Sequence, residues 1–154
     1  MSVLWLLLLH ALSTTIMAGV IWTMQLVHYA LFVNVGAERF CAYQREHMRR
    51  ISWIVGPMMG VELITASWLA LDPPRGVHPW MTLLGVGLVG AIWLSTGLLQ
   101  GPTHVRLARD GAVPDRIRFL LASNWIRTAA WSIRAPLALL MLTLGASAAA
   151  EGMS

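Results

Sequence analysis

Lysine is absent from this 154-residue chain, and all eleven of its basic side chains are arginines. Charge of either sign is scarce, 12% of residues, against roughly a quarter in soluble domains. No Asp, Glu, Lys or Arg occurs from Met1 to Ala37, or again from Gly76 to Val105. Cysteine is reduced to Cys41, which excludes an internal disulfide and any Cys-x-x-Cys mechanism, and with them thiol–disulfide chemistry coupled to quinones. Cys41 itself is expected to be inert. The first apolar run has no basic residue ahead of it and continues far past the about 15 residues of a leader's apolar core, so it reads as a retained membrane helix.

What is present is hydrophobic: 57% of residues are apolar. Runs of about 20 such residues cross a bilayer, and four are found, at about 3–31, 51–71, 78–100 and 119–148. The expected fold is therefore all-α, a four-transmembrane-helix bundle forming a single integral membrane domain over residues 1–154. A break at Asn34-Val35-Gly36 leads into Ala37–Arg50, which reads as a polar extension of the second helix. Asp72-Pro73-Pro74-Arg75-Gly76 is a turn, since proline stops a helix and glycine permits the reversal. Gly101-Pro102 is expected to end the third helix. Asp110-Gly111 and Pro114-Asp115 mark the last loop, with Asp115 as a cap. Gly85, Gly87 and Gly90 are expected to let neighbouring helices approach closely, and Met58 and Met59 to fill core volume.

The arginines set the orientation. Arg39, Arg45, Arg49 and Arg50 lie between the first two spans, and Arg106, Arg109, Arg116 and Arg118 between the last two; the opposite side has Arg75 alone. Basic loops stay in the cytoplasm, which puts both termini on the outer, periplasmic side of a bacterial inner membrane. The net charge of +4 is thus a topology signal, and no nucleic-acid partner is expected. Trp5, Trp68 and Trp80 would line the outer interface, Trp53 and Trp125 the inner one.

Polar residues placed by depth converge near the cytoplasmic leaflet. His28 ends the first span, with Gln25 a turn earlier. His47 precedes the second span, with Tyr43 and Arg50 beside it. His104 follows Gln100 by four residues, and Asn124 and Arg127 open the fourth span. Deeper, Glu62 and Arg134 stand at mid-height on the second and fourth helices, where an ion pair between them is expected. Asn124, Arg127, Trp131 and Arg134 share an arc of about 80° on the fourth helix. A polar stripe on a membrane helix has to face the bundle interior, because lipid offers no hydrogen bonds. For Arg127 the alternative is snorkelling to the headgroups. His28, His47 and His104 form a candidate metal set for iron, copper or zinc, completed by a carboxylate such as Glu46 or Glu62. Haem held between two of them is a further option; hydrogen bonding to the loops is the plain alternative. His10 and His78 read as structural.

The segments Trp22–Tyr29 (Trp-Thr-Met-Gln-Leu-Val-His-Tyr), Gln100-Gly-Pro-Thr-His104 and Asn124-Trp-Ile-Arg-Thr128 resemble those of small bacterial four-helix membrane proteins. In layout the chain is more distantly similar to the anthrone-oxygenase-like family, with four spans, a proline after the third and an arginine-bearing last helix. That resemblance implies oxidation or oxygenation of a lipophilic, often aromatic, substrate within the membrane. A second likeness is to the haem-binding protoporphyrinogen oxidase of bacterial membranes, through size and an early histidine, His10; the lysine of that family's third helix has no counterpart here.

These readings combine into an expected membrane oxidoreductase or oxygenase. His28, His47 and His104 would hold a metal, while Gln25, Gln100, Asn124, Arg127 and Arg134 would bind a lipophilic small molecule. Tyr43, Glu62 and Arg127 would serve catalysis, the first two as proton relays. The competing classes are a non-catalytic subunit of a larger membrane complex in contact with a pigment or haem, and a small ion or proton transporter. A homo-oligomer is compatible with each.

Overall fold

The computed structural model describes residues 3–152 and contains four long helices: α1 (Val3–Asn34), α2 (Ala37–Leu71), α3 (Pro79–Asp110) and α4 (Pro114–Glu151). Each is long and apolar enough to cross a membrane, and no strand occurs among the described residues. Consecutive helices pack side by side and α4 returns against α1, while α1 and α3, like α2 and α4, face each other across the diagonals. This is an up-down bundle with short connections, as chain order and loop length dictate.

The turns follow local chemistry. α2 stops at Leu71 before Pro73 and Pro74, and the chain reverses at Gly76, whose φ of 80° is in the left-handed region that glycine adopts without strain. Its close approach to α4 is equally demanding: a Cβ at Gly76 would lie 2.8 Å from the Leu144 carbonyl oxygen. The break after Asn34 and the helical character of Ala37–Arg50 are both observed, and α2 runs unbroken from this polar half into the apolar one, through Pro57.

Two expectations need correction. Gly101-Pro102 does not end the third helix. The chain passes through a π-turn at Thr96–Gln100 and continues helically to Asp110. Pro102 has no N–H to donate and its ring crowds the preceding turn, and the wider turn makes room for it. Gly101 belongs to the same solution, because a Cβ there would sit 2.9 Å from the Thr96 carbonyl oxygen. Asp115 is not a cap: Val113 holds the cap position without a side-chain hydrogen bond, and Asp115 pairs with Arg118 inside the first turn. The glycines of α3 also behave differently from one another. Gly87 and Gly90 face open space, and Gly85 alone is buried.

The interior is layered along the bundle axis. At the end bearing the chain termini, Leu7, Leu69, Val77, Met81 and Met141 form an apolar cluster. Met17, Ile21, Met59, Ile92 and Trp131 fill the middle, and Phe32, Phe40, Leu107 and Leu120 the arginine-rich end. Trp5, Trp68, Trp80, Trp53 and Trp125 all point outward, as side chains meeting a membrane interface would.

Candidate functional site: a polar-ended pocket at the arginine-rich side

All four stripe residues of α4 are buried, and each finds partners on other helices or on its own. Arg134 is tied to all three remaining helices. It donates to the Gly85 carbonyl of α3, to Thr14 Oγ1 of α1 at 3.3 Å and to Glu62 Oε1 of α2 at 3.3 Å. Glu62 also accepts from Trp131 Nε1 at 2.9 Å, so the carboxylate is held across the diagonal by two side chains of α4. Nearby, His10 Nδ1 lies 2.8 Å from Thr65 Oγ1, whose own hydroxyl donates to the Val61 carbonyl. His10 thus joins α1 to α2, in keeping with a structural role.

Arg127 does not snorkel. Its side chain stays inside, with Nε donating to Asn124 Oδ1 at 3.0 Å and Nη1 to Thr96 Oγ1 at 3.3 Å. Asn124 in turn donates to Gln25 Oε1 at 2.8 Å, and Gln25 Nε2 donates to the Leu121 carbonyl. Gln25 and Asn124, expected at a substrate, therefore stand behind Arg127 and fix its direction. No carboxylate lies within ion-pair distance of Arg127 among the described residues.

Arg127 points into a cavity of about 400 Å³. Met17, Ile21, Val55 and Met59 give it apolar walls, while Tyr29, His47, Thr96, Gln100, His104 and Arg127 make its other end polar. Exposed residues line the pocket on two helices, Ser52 and Gly56 on α2 and Trp93 and Val105 on α3, so its mouth lies between them on the outer surface of the bundle. The size and the ratio of apolar wall to converging polar groups are those of a small-molecule site.

The polar end is rich in donors. The Gln44 side-chain amide lies 2.6 Å from His104 Nδ1, and His104 Nε2 lies 3.0 Å from the Tyr29 hydroxyl oxygen, which also stands beside the Arg127 guanidinium. Gln100 is fully buried; its Oε1 accepts from Ser95 at 3.0 Å, and its Nε2 has no partner. A buried amide donor without an acceptor costs the folded state, and such groups are rare unless a ligand or water meets them. Two π-turns flank this end: Thr96–Gln100 in α3 carries Thr96 and Gln100, and Met24–His28 in α1 leads into Tyr29. π-turns recur at functional sites because they displace side chains from their helical phase.

The three imidazoles do gather. The His28 and His47 rings are 4.2 Å apart and those of His47 and His104 5.6 Å. They do not fit a metal centre as they stand. Both nitrogens of His104 are committed to Gln44 and Tyr29, Glu46 is bound by Arg49 and Arg50, and Glu62 by Arg134 and Trp131. No group of three or more His, Cys, Asp or Glu side chains set to hold a metal ion occurs among the described residues. His28 and Tyr43, whose rings stack at 6.0 Å, line a second cavity of about 360 Å³ with Glu46 and Arg50. His47 and Ile51 form the wall shared with the first.

Of the residues singled out from sequence, Gln100, His104, His47 and Arg127 meet at the main pocket, and His28 and Tyr43 at its neighbour. Glu62 and Arg134 lie deeper, in the ion-pair network. Tyr29, Gln44 and Thr96 were not anticipated; the adjacency of Tyr29 to His28 was the one available signal. Compared with family models, curated proteins and solved structures, the chain has no match.

Proposed function

We propose that the protein is a membrane enzyme of the oxidoreductase or oxygenase type, and that it takes a lipophilic, oxygen-bearing molecule from the bilayer into the pocket between its four helices. The observation that carries this reading is the pairing of an apolar, lipid-facing cavity with an interior end made of hydrogen-bond donors. Lipid-facing access suits a substrate that never leaves the membrane. Arg127, Gln100 and Tyr29 orient its oxygen, and His47, unencumbered by a protein hydrogen bond and standing between the two cavities, is placed to exchange a proton with it. The reaction class comes from the resemblance in layout to anthrone-oxygenase-like proteins. No metal enters this reading, because both nitrogens of His104 and the nearby carboxylates are otherwise engaged.

The same proposal sets the pocket at the cytoplasmic leaflet of a bacterial inner membrane, with both termini outside, since eight arginines border that end and Arg75 alone the other.

The test uses the full chain in lipid nanodiscs, incubated with the lipophilic extract of its host membranes and followed by mass spectrometry. With dioxygen as the oxidant, a compound that gains an oxygen atom from it or passes a hydrogen pair to it, and does so only with a protein retaining Arg127 and His47, supports the proposal. Absence of both turnover and retained lipophile removes it.

A further inference from the structure

The donors at the inner end of the pocket outnumber the acceptors that face them. Arg127 has five N–H groups; Asn124 and Thr96 accept from two, the Tyr29 hydroxyl stands beside the guanidinium, and the Trp131 ring lies 5.8 Å from it. Gln100 Nε2 is buried without a partner. Arg134, the other deep arginine, shows what this bundle does with an interior cation when it balances one: it supplies Glu62 at 3.3 Å. Arg127, in the same bundle and 7% exposed, receives no carboxylate. A buried charge needs a partner, and a guanidinium prefers the planar, two-oxygen group that its fork matches.

We propose that the occupant is a single-chain lipophile headed by a carboxylate. One oxygen is held by Arg127 and the other by Gln100 Nε2. The chain lies along Met17, Ile21 and Met59 and enters through the gap between α2 and α3. This rests on the reading of the pocket as a substrate site and narrows its substrate class. A neutral carbonyl would satisfy Gln100 but leave the guanidinium without a counter-charge. A two-chain phospholipid exceeds a cavity of about 400 Å³.

The test is equilibrium binding of radiolabelled dodecanoate, methyl dodecanoate and dodecyl phosphate to the full chain in nanodiscs, with empty nanodiscs as background. Dodecanoate is expected to bind saturably, and the ester about tenfold more weakly or worse, as befits loss of a charge-assisted hydrogen bond. Arg127→Gln should weaken the acid by a similar factor and leave the ester unchanged. Gln100→Leu, which removes no charge, should weaken the acid less and serves if Arg127→Gln does not fold. Gly56→Phe fills the mouth of the pocket from a position where a Cβ meets nothing within 4 Å, and should abolish binding of every probe. Equal binding of acid and ester, or tighter binding of the phosphate, overturns the carboxylate while sensitivity to Gly56→Phe preserves the pocket. Binding of no probe above background, or binding indifferent to Gly56→Phe, overturns both.

Discussion

Glu62 and Arg134 meet at 3.3 Å across the diagonal of the bundle, with side chains 2% and 1% exposed. Removing one partner strands the other in the lowest-dielectric part of the protein. Glu62→Gln should lower stability by about 3–5 kcal/mol, the usual cost of an orphaned buried charge. Thermal unfolding in mild detergent reads it. The double substitution Glu62→Leu with Arg134→Met should lie closer to the parent protein than either single change; a double variant as unstable as the sum of the singles would show that the pair is not a unit.

The π-turn of α3 depends on Gly101. Gly101→Ala places a methyl group against the Thr96 carbonyl and should cost about 1–3 kcal/mol, as overpacking does. Gly97, inside the same turn, faces open space, so Gly97→Ala should be neutral or stabilising by up to about 1 kcal/mol. Unfolding measurements on the two variants, with ligand retention measured alongside, check the contrast. Equal effects would sever the turn from the pocket.

Both nitrogens of His104 are committed within the protein. Elemental analysis of protein expressed with iron, copper and zinc supplements should therefore find less than about a tenth of an equivalent of each, far below the stoichiometric loading of a true site. A full equivalent that disappears in His104→Gln would reinstate the three-histidine centre.

Orientation is testable by labelling. In a Cys41→Ala background, His78→Cys, in the exposed loop before α3, should react with a membrane-impermeant maleimide in intact spheroplasts. Asp115→Cys, at the exposed start of α4, should react only after permeabilisation. The reverse pattern would invert the bundle.

The bundle could be read from the chain because its determinants are local. Long uncharged runs set the spans, Pro73 and Pro74 with Gly76 set the turn between α2 and α3, and the arginine-rich loops mark one end. The arc of about 80° shared by Asn124, Arg127, Trp131 and Arg134 was enough to aim all four inward. The site was only half legible, because its completion depends on helix phase. Regular winding through Met24–His28 would aim Tyr29 elsewhere; the π-turn rotates the residues beyond it, and that rotation hid Tyr29. Gln44 was missed for another reason: a glutamine on a polar helical extension looks solvated until α3 continues past Pro102 and brings His104 against it.

A turn that closes on the fifth residue instead of the fourth holds one residue more than an α-helix requires, yet the segments on its two sides keep their packing. One surplus residue in each of α1 and α3 therefore decides where Tyr29 and Gln100 stand relative to the pocket that both line.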